Sequence, residues 1–190
     1  ILGVYGASVL TAANTANNMN TLAYVAINGL ASAVGIITGK TIGAGKTELM
    51  KQYARTTQAI FLALGFIIGG LVFACSGPFV AMYQGISAEA AAESLRFVRV
   101  LSVTLIGTCY QMPCLFGLVK SGGDISFVFK NDTIFVFLVV LPSAMLASKL
   151  GAPAWAVFAC LKCDQILKCF VAVVKVNRFN WMKNLTRVQT

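Results

Sequence analysis

Histidine is missing from this 190-residue chain, and only six side chains are acidic. Without an imidazole there is no Ser/His/Asp or Cys/His arrangement, the usual route to nucleophilic catalysis. The carboxylates, Glu48, Glu89, Glu93, Asp124, Asp132 and Asp164, are scattered and form no close pair of the kind a hydrolase uses. Nothing here supports an enzyme. Charge of either sign is scarce: 11% of residues are charged, against about 25% in soluble domains. That is too little to clothe a water-facing surface. Of the four prolines, at 78, 113, 142 and 153, two fall where a stop or a kink in a helix is expected.

What is present is apolar. Hydrophobic residues make up 58% of the chain and the mean hydropathy is +0.80, which predicts an all-α integral membrane protein. The net charge of +9 could suggest nucleic acid, but Lys and Arg punctuate apolar runs and build no continuous basic face, so no nucleic-acid partner is expected. Six Cys lie almost wholly inside those runs. The Cys160/Cys163 spacing, with no second pair and no His, is a weak metal signal; these thiols read as small core residues, and no cofactor is expected. The first residues carry no basic leader. Ile1 reads as opening within an outer turn, so the chain is expected to be the remainder of something longer.

Residues 14–51 look like the stretch around which the rest is arranged. At about 100° per residue, Asn14, Asn17, Thr21, Tyr24, Asn28 and Ser32 fall within roughly 80° of one another, and Gly35 and Gly39 continue the line. The remaining faces are Leu, Ala, Val, Ile and Met. Such a helix turns its polar line toward protein or an aqueous cavity and its apolar faces toward lipid, so these six residues are the expected cavity lining, beside the alternative of polar glue between helices. The helix then breaks into GKTIGAGKTELMK. A phosphate loop would need Gly where Lys40 stands and a strand before it; the expected role is a tight turn carrying lysines toward an anionic leaflet.

About five membrane helices are expected, over residues 12–41, 57–74, 95–119, 125–146 and 154–176. Gly65 and Gly69 offer a small-xxx-small surface in the second, which SGPF is expected to stop at Pro78. Pro113 should kink the third, at whose outer end Arg96 and Arg99 snorkel. Lys40, Lys46, Lys51, Arg55, Lys120, Lys130, Lys175, Arg178, Lys183 and Arg187 fall in segments read as inner, against Arg96, Arg99 and Lys149 outside. This bias predicts the N-terminus outside and the C-terminus in the cytoplasm of a multi-pass inner (plasma) membrane protein. Phe179 and Trp181 suit an interfacial anchor. Asp164 and Lys168 share a helix face. A charge at membrane depth is a functional signal by default, so they are the ion-coupling candidates beside the alternative of a neutralised structural pair. Asp132 with Lys130 reads as structural.

In series, a polar helix opening with AAN, then GKTIGAGKTELMKQYAR, an apolar helix ending in GPF, LVKSGGD before a helix, LKCDQILKC and a basic NWMKNLT resemble the C-terminal half of the multidrug and toxic compound extrusion (MATE) transporters. The resemblance covers essentially the whole chain. It implies a fold of twelve helices in two lobes around a cleft open to one side at a time, of which this chain supplies most of one lobe, helices eight to twelve. It implies export of cationic or aromatic drugs and metabolites by antiport with Na⁺ or H⁺. The partners would be the bilayer and a first lobe of the same protein. One departure stands out: some sodium-coupled members carry an acidic residue in the helix matching residues 95–119, near Cys109 by spacing, and this chain has none there. The competing readings are a lipid-linked oligosaccharide flippase of the same superfamily and a non-transporting truncated fragment.

Overall fold

A computed structural model describes residues 2–83 and 86–183. A short 3₁₀ turn, Leu2–Tyr5, precedes seven helices: α1 (Ala7–Gly43), α2 (Thr47–Ala81), α3 (Ala88–Met112), α4 (Ile125–Ile134), α5 (Leu141–Lys149), α6 (Ala154–Lys162) and α7 (Asp164–Asn177). α3 runs on as the π-helical stretch Pro113–Lys120, and α4 joins α5 through another, Phe135–Val140. The protein is all-α, with no strand among the described residues. Four of these units are long and apolar enough to cross a membrane: Ala7–Gly43, Thr47–Ala81, Ala88–Lys120 and Ile125–Lys149.

The organising element is α3 and not α1. Some 78% of the apolar window of Ala88–Lys120 is buried, against 17% for α1. α1, α2, α6 and α7 all pack on α3, while α4 packs on its π-helical continuation. The outer helices keep large apolar side chains exposed, such as Val25 and Ile36 on α1, Phe66 and Ile67 on α2, and Phe129 on α4. In water this would be an aggregating surface; in a bilayer it is the surface lipid covers.

Close packing rests on small residues, as expected where lipid removes the hydrophobic drive between helices. A Cβ on Gly65 would sit 2.9 Å from the Ile106 carbonyl oxygen, and one on Gly69 2.7 Å from that of Ser102. α2 therefore lies directly on the backbone of α3. Gly107 does the same for α7: its Cβ would fall 2.4 Å from the Gln165 carbonyl oxygen.

Several boundaries differ from expectation. α1 begins at Ala7, ahead of the expected start at residue 12. α2 does not stop at SGPF; it continues through Pro78 to Ala81. The Ser76 hydroxyl donates to the Phe73 carbonyl at 2.7 Å, while the carbonyl that Pro78 leaves without a donor is that of Ala74. Pro113 and Pro142 mark the two π-helical stretches, one opening at Pro113 and one closing just before Pro142. A proline withdraws one N–H from the ladder, and wider turns redistribute the carbonyls it frees. The fifth expected helix is split at Cys163 into α6 and α7, neither of which is of membrane length by itself.

One end of the bundle collects the basic turns. In the α1–α2 turn Gly45 adopts φ +72°, and the amides of Ala44 and Lys46 donate to the carbonyls of Lys40 and Thr41. Lys51 and Arg55, at the start of α2, each lie 5.9 Å from the Phe179 ring centre. Asp124, between α3 and α4, pairs with Lys175 at 2.7 Å and Lys183 at 3.1 Å. Trp181 is no interfacial anchor. It is fully buried against Gly122, where a Cβ would fall 2.2 Å from the indole, and its Nε1–H donates to the Val176 carbonyl at 3.0 Å. Arg187 lies outside the described residues.

Candidate functional site

The i, i+4 spacing of Asp164 and Lys168 puts them on one face of α7, and the Lys168 ammonium meets Asp164 Oδ2 at 3.0 Å. The same ammonium meets Asp132 Oδ1, on α4, at 2.9 Å. Asp132 thus pairs across helices with Lys168, not with its neighbour Lys130, and belongs to the buried cluster. Phe135 turns its ring toward the ammonium at 5.8 Å. Lys162, one residue before the break at Cys163, lies 6.0 Å from the Phe158 ring centre.

Neutral polar side chains extend the cluster into α3. Gln165 Nε2 donates to Asp164 Oδ2 at 3.0 Å. Gln165 Oε1 accepts from Thr108 Oγ1 at 3.1 Å and from Gln111 Nε2 at 3.2 Å. Thr108 and Gln111 are one turn apart, so both face α7. One buried atom of this network has no partner: Gln111 Oε1. Orphaned buried polar atoms are costly and mark a network that is not saturated. A second link ties α2 to α3 and α7, with Tyr110 donating to Gln58 Oε1 at 2.8 Å and Asn177 Nδ2 to the same oxygen at 3.1 Å. Cys109 is buried and looks the other way, toward α2, where a Cβ on Gly65 would come within 3.3 Å of its own.

On α1 the packed face is formed by Ala12, Ala13, Ala16, Ile27 and Ala31. The polar line lies roughly 100° around the helix from it, and Asn14, Asn17, Thr21, Asn28 and Ser32 are exposed there. Thr21 donates to the Asn17 carbonyl at 2.9 Å. Asn28 and Ser32, with Gly35, border a cavity of about 410 Å³ against Met112, Phe116 and Lys120 of the α3 helix and its continuation. Tyr24 is half-buried between the packed face and the polar line.

Asp132, Gln165, Thr108 and Gln111 did not emerge from sequence reasoning as parts of this site. Asp132 and Lys168 are too far apart in the chain for any helical spacing to pair them. Thr108 and Gln111 carried a signal, a polar i, i+3 pair inside an apolar run. Gln165 stood beside Asp164 in LKCDQILKC without a spacing of its own.

Membrane-length apolar helices packed through glycines, with a charged network buried among them, define a multi-pass all-α membrane protein. The MatE family model matches residues 1–148, and the chain belongs to that family of transporters. No curated protein and no solved structure matches it. The matched stretch ends in α5, so Asp164 and Lys168 lie beyond it.

Proposed function

We propose that this chain is part of a secondary antiporter that exports cationic or aromatic compounds in exchange for Na⁺ or H⁺. The observation that carries this is the α1 polar line. Neutral Asn, Thr and Ser side chains stay unpacked along an open edge of the lobe, and Asn28 and Ser32 border a cavity there. In a bilayer such a line needs water or a polar partner beside it. The buried Asp164–Lys168 pair, at 3.0 Å, supplies the charge through which an ion would bias outward- and inward-open states. Antiport needs only that ion and substrate favour different states. We place the basic end of the bundle in the cytoplasm of an inner-membrane transporter, and the second wall of the cleft on another lobe of the same protein.

A lipid-linked oligosaccharide flippase would favour basic side chains along the cleft. Of the residues bordering the α1–α3 cavity only Lys120 is basic, at one end, so the antiporter reading is preferred. The test uses full-length protein containing this segment, expressed in cells challenged with ethidium. Asn17→Leu and Asn28→Leu at equal expression are expected to lower resistance several-fold. Unchanged efflux in both would remove the cavity assignment.

A further inference from the structure

The Lys168 ammonium is held by two carboxylates where one would balance its charge. A purely structural ion pair inside a membrane gains nothing from a surplus carboxylate, since each buried charge is costly to desolvate. The two carboxylates also differ. The Asp164 side chain is 10% exposed and is further held by Gln165. The Asp132 side chain is 33% exposed, so the interhelical partner is the one an incoming group can reach. Phe135 presents its ring to the same ammonium. A carboxylate oxygen and an aromatic face are what an organic ammonium is recognised by.

We propose that Asp132 is the seat for a monovalent organic cation and that Lys168 is its tethered place-holder. This rests on the antiporter reading and specifies its cation site. When the organic cation takes Asp132, the ammonium of Lys168 contracts onto Asp164, its i, i+4 neighbour on α7. Two carboxylates then face two cations, and the triad goes from one excess negative charge to none. Lys162 stays outside this exchange, over the Phe158 ring. Gln111 Oε1, one hydrogen bond from Gln165 and two from Asp164, is a buried acceptor with no partner in this arrangement. Lys168 thereby acts as an internal competitor that sets how tightly a cation binds.

The test measures ethidium binding by fluorescence anisotropy to purified full-length protein in detergent, with Nile red as a neutral aromatic control. Lys168→Met removes the competitor and is expected to tighten ethidium binding about tenfold or more, the scale of one close charge pair. Asp132→Asn is expected to weaken it by a similar factor, and neither variant should shift Nile red. Wild-type affinity in both variants, or weaker binding in Lys168→Met, overturns the proposal. Should Lys168→Met fail to fold, wild-type ethidium affinity in Asp132→Asn overturns it alone. The antiporter reading fails separately: protein that binds ethidium in this pattern yet exports none keeps the seat and loses the transport. Efflux with unmoved affinities does the reverse.

Discussion

Asp124 shows how single residues tie this lobe together. A hydrogen bond from Lys175, aided by one from Lys183, holds its carboxyl below the ordinary value of 3.8 while burial pulls the other way. A depressed carboxylate adds stability that is present above its unfolded-state pKa and is lost as pH falls through the folded one. Asp124→Asn should therefore melt at lower temperature than wild type at neutral pH, and the gap should close as pH falls below about 4. Thermal melts of both proteins across that range would show it; a gap independent of pH would mean that the charge is not what matters. The buried triad is a similar case of meaning that local pattern could not supply. The i, i+4 spacing of Asp164 and Lys168 was legible. That Asp132 is their third partner was not, because a contact between α4 and α7 is set by the packing of both on the α3 unit, and no period in the sequence encodes it.

Among elements, α3 and its continuation hold the centre, and the sequence hid this behind ordinary composition. Its hydropathy resembles that of the other spans, whereas its burial is far greater. The polar line on α1 drew attention for its regularity, yet it lies at the edge of that helix's packed face and not on it. The small-residue pattern was the better guide, since Gly65 and Gly69 are where α2 meets α3. Gly107 makes the corresponding contact to α7. Gly107→Ala would drive a methyl into the Gln165 carbonyl, 2.4 Å from the ideal Cβ position. The neighbour is backbone and cannot swing aside, so a loss of about 1–3 kcal/mol is expected, read as a lowered melting temperature in detergent. Gly70, with nothing within 4 Å, is the control: Gly70→Ala should leave stability unchanged or slightly raised. Helix ends were less legible than helix existence. Pro78 and Pro113 read as a stop and a kink, but both are absorbed into continuous helix, Pro113 at the head of a π-helical stretch.

For the molecule as a whole, the basic turns gather at one end because α1–α2, α3–α4 and the segment after α7 all return there. The ion pairs of Asp124 and the approach of Lys51 and Arg55 to Phe179 hold them together. Placing that end in the cytoplasm predicts that, in a cysteine-free full-length background, Ala44→Cys reacts with a membrane-impermeant maleimide only after permeabilisation. Ala152→Cys, in the α5–α6 turn, should react in intact cells. The opposite pattern would invert the topology. The indole of Trp181 has a consequence for synthesis. It fills the space beside Gly122, far earlier in the chain, so a ribosome must deliver almost all of these residues before the lobe can be corked. Until residue 181 is delivered the nascent bundle keeps a gap at its basic rim, and closure of this part of the core waits on a segment made 59 residues after the glycine it packs on.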